Sequence, residues 1–189
     1  MISSRHTFYA MGSDCAVQLV TEDAPDFETF ARAAEAEVVR IEKRYSRYRA
    51  DSELTRINAA AANGVSVRID DETEALVDYA KACFAKSDGA FDITSGVLRR
   101  AWDFSSSHLP SQASIDALLP RAGLDKVSVS GGSLHFSQAG MGWILVVSAR
   151  STLRIVPQKL ARDWARDTAL STSRATSGSL VLSPEEGYR

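Results

Sequence analysis

Phe27, Phe30, Ala31, Ala34, Val38, Ile41, Tyr45 and Tyr48 recur at three- and four-residue steps, which lays one apolar stripe along a long helix. Glu35, Glu37, Arg40, Lys43 and Arg44 mostly take the opposite face. Pro25-Asp26 opens the helix, and its acidic start and basic end suit the helix dipole. A different period precedes it. His6 to Met11 and Cys15 to Thr21 alternate as half-buried strands do, with Gly12-Ser13-Asp14 as the tight turn between them. A third alternation covers Val65, Val67 and Ile69. Val127 and Val129, then Leu134 and Phe136, flank Gly131-Gly132 and predict a hairpin.

The remaining helices are shorter or differently marked. Asp70-Asp71-Glu72 starts a second long one, with Leu76, Val77, Ala80, Cys83 and Phe84 as its buried stripe. Ser87-Asp88-Gly89 ends it, and Gly89 is free to turn left-handed. Asp51-Ser52-Glu53 begins a helix reaching about Asn58, capped by Ser52, with Ala59 to Gly64 as a turn. Ser114 to Leu119 is another, stopped by Pro120, after a loop from Ser105 to Pro110. Strands, hairpins and amphipathic helices in this order make the fold α+β or α/β.

A chain of 189 residues, 44% hydrophobic and 24% charged, holds one ordinary globular domain, or one and part of a second. The net charge of -2 gives no case for nucleic acid or an anionic membrane as partner. No stretch approaches the roughly 20 apolar residues of a membrane span. Met1 to His6 carries no long apolar segment, so no secretory signal is expected and the location is read as cytoplasmic. Cys15 and Cys83 are expected to be buried and reduced. His6, His108 and His135 are scattered, with no zinc-like spacing and no nucleophilic triad.

Two blocks carry chemistry. Gly89-Ala90-Phe91-Asp92-Ile93-Thr94-Ser95-Gly96 places a turn glycine, a buried aromatic, a carboxylate and two hydroxyls at a helix end, a combination able to line a ligand pocket. Asp92 beside Phe91 can accept a hydrogen bond from a ligand N–H, or the block can be a structural corner. Tyr45 to Asn58 is a helix end, a linker and a helix start. Tyr48 can lay its ring on a planar ligand, or the segment can be only a capped junction. Met11 at a strand end reads more as core than as contact.

In order along residues 8 to 141, the chain resembles the ApbE family, the FAD:protein FMN transferases. The resemblance runs through Met11-Gly12-Ser13, then the Tyr-Arg-x-Asp-Ser-Glu-Leu core at Tyr48 to Leu54. It continues through Ser87 to Thr94, Leu98 and Trp102-Asp103-Phe104, and ends at Gly140-Met141 after a hairpin. It implies an α+β fold of mixed sheets flanked by helices. It also implies FAD as substrate, Mg²⁺, and transfer of FMN to a Thr or Ser hydroxyl of a target flavoprotein with release of AMP. By the same resemblance Met11, Tyr48, Ala90, Phe91 and Asp92 contact the flavin nucleotide. No catalytic residue and no metal ligand is assigned.

After Gly142 the chain changes character. Residues 1–141 carry a net charge of -5 and residues 142–189 one of +3. The tail is rich in Ser, Thr, Arg and Ala, with a strand expected at Ile144 to Val147 and a weak helix at Leu160 to Ala165. The family's DxGGxxK and N-x-G-G-D-like blocks, and its later metal-binding residues, are missing from it. Trp has the single codon TGG and Ile codons begin AT, so a one-base shift at Trp143-Ile144 reads Asp. The same frame permits DLGGIGKEYA through Leu153 and VNLAGDV from Ser171 to Ser177. The expectation is an N-terminal part over 1–142, incomplete at its C-terminus, and an atypical tail over 143–189, translated out of frame and poorly ordered.

Overall fold

A computed structural model describes residues 2–21, 27–102, 109–144 and 179–184. The chain divides into two units, residues 1–44 with 147–189, and residues 45–146.

In the first unit β1 (Ile2–Ala10) and β2 (Ser13–Thr21) form an antiparallel hairpin in the register Phe8↔Cys15 and Ala10↔Ser13. The turn is tighter than the expected Gly12-Ser13-Asp14. It is the pair Met11-Gly12, both left-handed with φ 55° and 75°, the two-residue geometry that matches the twist of the strands. Ser13 and Asp14 are thereby freed to pair within β2. Helix α1 (Phe27–Tyr45) turns Phe30, Ala34 and Val38 onto Phe8, Ala10, Cys15 and Val17, and Met11 and Phe27 pack beside them. Pro25-Asp26 lies outside the described residues. A strand from the tail adjoins this sheet on the β2 side.

In the second unit α2 (Glu53–Asn63) starts where expected, but it runs five residues past Asn58. Ala59 to Ala62 are the strongest helix formers in the segment, so the helix ends only at Gly64, left-handed at φ 65°. The alternation at Val65 to Ile69 yields a two-residue strand, β3 (Val67–Arg68), with Val65 left exposed. Helix α3 (Asp71–Lys86) is capped by Asp70, whose carboxylate accepts from Thr73 N at 3.1 Å. It buries Thr73, Val77 and Ala80, and Cys83 is only half-buried, unlike Cys15; both thiols are free. After a 3₁₀ helix over Ile93–Ala101 and the short α4 (Gln112–Asp116), Pro120 opens a 3₁₀ turn at Leu119–Arg121. Pro suits a helical first turn, where its missing N–H costs nothing.

The expected hairpin is present as β4 (Val127–Ser130) and β5 (Ser133–Phe136), joined by Gly131-Gly132 at φ 56° and 68°. The sheet order is β3-β5-β4, all antiparallel. Its apolar face meets α2 and α3 in a core of Leu54, Ile57, Val77, Leu134, Met141 and Trp143 among others.

Of the segment set apart by its composition, Trp143 and Ile144 belong to this second unit. Strand β6 (Ser179–Pro184) lies in the first unit, antiparallel to β2 with Cys15↔Pro184 and Val20↔Ser179. The strand expected at Ile144 to Val147 and the helix at Leu160 to Ala165 fall outside the described residues, apart from Ile144, which is not in a strand. Mixed helices and small sheets confirm the α+β class.

Candidate functional site

The Tyr45 to Asn58 block is held by its own polar groups. Tyr45 buries its ring and bonds its hydroxyl to Thr73 Oγ1 at 3.0 Å. Ser52 is the helix cap. Its Oγ accepts from Thr55 N at 3.0 Å, and Thr55 Oγ1 donates to the Arg49 carbonyl at 2.7 Å. Arg49 forks onto Asp51 at 2.7 and 3.0 Å and holds that exposed carboxylate below its usual range. The helical stripe does not extend to Tyr48 as its spacing suggested. α1 ends at Tyr45, and Tyr48 stands 82% exposed. The Arg47 guanidinium lies 4.5 Å from the centre of the Tyr48 ring and donates to its hydroxyl. That hydrogen bond, with charge from Arg47 and Arg99, lowers the Tyr48 phenol from its ordinary pKa.

The Ser87 to Gly96 block is a helix end followed by a capped 3₁₀ helix. Gly89 is left-handed at φ 80° and returns its N–H to the Phe84 carbonyl at 2.9 Å. Ser87 Oγ accepts from Phe91 N at 2.9 Å, which holds the turn closed. Phe91 was read as buried; it is 38% exposed, because this turn lifts it off the α3 stripe. Ala90 is exposed beside it. The Asp92 carboxylate caps the next helix: one oxygen accepts from Thr94 N at 2.7 Å and Thr94 Oγ1 at 2.6 Å. Thr94 is fully buried, and its Oγ1 accepts from Gly123 N at 2.7 Å. Ala90, Phe91 and Asp92 thus share one corner, whereas Met11 sits in the first unit. There its N–H is held by Glu42 Oε1 at 2.9 Å.

A cleft of about 220 Å³ opens in the second unit among Arg47, Asn58, Arg99, Arg100 and the Met141–Ile144 segment. Its floor is fixed by main chain. Asn58 accepts from Trp143 N at 2.6 Å and donates to the Trp143 carbonyl at 3.1 Å. Ile144 N donates to the Ile93 carbonyl at 2.7 Å. A Cβ on Gly96 would strike the Trp143 carbonyl carbon and sit 2.6 Å from Ile144 N, so only glycine admits this approach. Sequence reasoning marks Thr94 as one of the block's two hydroxyls, reads Asn58 only as a helix end, and does not reach Arg99 and Arg100, whose adjacent pair is the one signal available.

Among the described residues, no group of three or more His, Cys, Asp or Glu could hold a metal ion, and no helix is long and apolar enough to cross a membrane.

The model of the ApbE family matches residues 11–178. Among solved structures, the chain is similar to the apo flavinyl transferase ApbE of Pseudomonas stutzeri, with 28% identity and a TM-score of 0.74. That match covers 85% of this chain and 55% of that one. It is also similar to the ApbE protein of Thermotoga maritima, at 20% identity and TM-score 0.70, with 95% and 57% covered. The flavin transferase ApbE of Vibrio cholerae gives 20% identity and TM-score 0.69, with 95% and 56% covered. At 20% identity the last two speak to the fold alone. The chain spans little more than half the length of these proteins. No curated protein matches it.

Proposed function

The chain belongs to the ApbE family, and from that premise we propose that its function is flavinyl transfer, moving FMN from FAD onto a Thr or Ser hydroxyl of a target flavoprotein. The observation that carries this reading is the family match over residues 11–178, which takes in both motif blocks. In the reaction the acceptor oxygen attacks the phosphorus on the FMN side of the pyrophosphate. The bond from that phosphorus to the bridging oxygen breaks, AMP leaves, and the hydroxyl proton passes to a base. The exposed Tyr48 ring offers a stacking surface for the isoalloxazine or adenine, and Phe91 a second apolar surface. Asp92 acts on the ligand through the corner it caps, since one carboxylate oxygen is already engaged by Thr94.

Mg²⁺, when bound, neutralises the pyrophosphate oxygens. The described residues provide no cluster fit to hold it, so no step is routed through it. Incubating the chain with FAD, Mg²⁺ and a target domain tests the proposal. Fluorescent, covalently flavinylated product is expected, and its absence alongside active full-length relatives would defeat the reading.

A second reading is favoured by the residues after Gly142. In it the chain is a non-catalytic fragment that at most binds FAD weakly, since the family's DxGGxxK and N-x-G-G-D-like blocks do not occur among its residues after Gly142. It joins the proposal that residues 143–189 are translated out of frame. The codons at Trp143-Ile144 support it, and the family match that runs on to residue 178 speaks against it. Sequencing the gene decides it: third bases that forbid Asp and Gly-Gly in the shifted frame rule the slip out.

A further inference from the structure

The outward face of the β3-β5-β4 sheet carries a histidine between two serine hydroxyls. Leu134 and Phe136 turn to the core, so His135 between them on the central strand turns out. Its Nδ1 is 2.7 Å from Ser66 Oγ, and its Nε2 is 3.0 Å from Ser130 Oγ. The ladder fixes this spacing. Val67↔Leu134 brings Ser66 beside β5, and Ser130↔Ser133 closes the hairpin on the other side. Ile69 N also donates to the Gly132 carbonyl at 2.9 Å. No spacing in the sequence announces the group, because Ser66 stands 69 positions from His135. None of the three residues lines the cleft beside Met141–Ile144.

A neutral imidazole carries one N–H and one bare nitrogen. Here each nitrogen meets a serine, so in either tautomer one hydroxyl donates to the bare nitrogen. The Ser130 carbonyl decides which. It lies 3.4 Å from Nε2 and can only accept, so the N–H belongs on Nε2. That leaves Nδ1 to accept from Ser66, at the shorter of the two hydroxyl contacts. A hydroxyl bonded to a base that is itself oriented from its far side is the arrangement that activates a serine. Ser66 is exposed, so a reagent reaches it from solvent. An open surface selects its donor by reactivity more than by shape.

We propose that Ser66 is a nucleophilic serine that takes an acyl group from a small activated ester, with His135 as its base and Ser130 orienting the imidazole. Ser66 Oγ attacks the acyl carbon, and its proton passes to His135 Nδ1. The bond from that carbon to the leaving oxygen breaks, the oxygen keeps the electron pair, and the imidazolium returns the proton to it. Ser66 is left as an ester. The site needs nothing from flavin transfer and nothing from the tail.

Treating the full chain with para-nitrophenyl acetate and mapping its peptides by mass tests this. A hydroxylamine-labile acetyl is expected on Ser66, ahead of Ser128, an exposed serine that pairs with His135 across the ladder. Ser66→Ala should abolish that label, and His135→Gln should slow it about 100-fold, the lower range for a general base. Should His135→Gln melt, the parent serves: acidifying from about pH 8 to 5 charges histidine, leaves no bare nitrogen, and should slow Ser66 relative to Ser128. An acetyl on Ser130 in place of Ser66 overturns the proposal. So does labelling of Ser66 no faster than of Ser128, or a Ser66 rate indifferent to His135→Gln and to acid. FAD does not enter the experiment, so the flavin reading stands or falls apart from it.

Discussion

The blocks Tyr45 to Asn58 and Ser87 to Gly96 are alike in plan and opposite at their ends. Each begins at a helix terminus, crosses a polar corner and leads into a capped helix, with Ser52 as cap in one and Asp92 in the other. Each exposes an aromatic at its corner, Tyr48 or Phe91. Both then meet the main chain at Trp143. Asn58 does so by adding a carboxamide that satisfies the N–H and the C=O together; Gly96 does so by leaving a side chain out. The difference teaches that one loop is fixed by a bond on one side and by a space on the other. The polar residues of both blocks are mostly scaffold, and the aromatics at their corners are what they leave at the surface.

Filling the space should do the greatest damage. Gly96→Ala puts a methyl against rigid backbone and is expected to cost about 3 kcal/mol in urea unfolding, the upper range for overpacking. A near-neutral result would mean that the loop is not seated there. Removing the bond comes next. Asn58→Ala leaves two backbone groups of the half-buried Trp143 contact unpaired, with an expected cost of about 2 kcal/mol. Should Asn58→Ala exceed Gly96→Ala, the ranking of bond and space reverses. Ser52→Ala removes only a cap and is expected to lose about 1 kcal/mol.

The smallest effect on stability falls on the exposed aromatic. Tyr48→Phe should shift stability by no more than about 0.5 kcal/mol. Tyr48 also provides a pH readout. Arg47 favours the charged phenolate, so in the parent the phenol ionises below the ordinary tyrosine value of about 10, and Arg47→Gln should move it upward. An ultraviolet difference titration that shows no upward move would mean the Arg47–Tyr48 contact is not made in solution.

Much of this was legible in the residues. Period and capping marked α1, α3 and both hairpins, because an apolar stripe and a left-handed glycine are local signals. Three features were not local. Met11 takes a left-handed φ that bulky residues rarely adopt, and the reason lies 31 residues away in Glu42. α2 outran Asn58 because four alanines carry helix propensity without an amphipathic pattern. Phe91 looked like core, yet the Ser87 hydroxyl closes a turn that lifts it out. At the site, Tyr48, Ala90, Phe91 and Asp92 stood out as motif residues. Asn58 acquires meaning only where a chain segment 85 positions on comes back to it, and the arginines only where that segment lines their cleft.

A clasp made to main chain does not read the residue it clasps. Asn58 holds the link after Gly142 by groups that every amino acid other than proline possesses. A change of residue there would leave the main-chain clasp able to close, while the core would lose what the Trp143 ring gives it beside Phe136. The joint is therefore held in two ways, one blind to the residue that enters it and one that reads its ring.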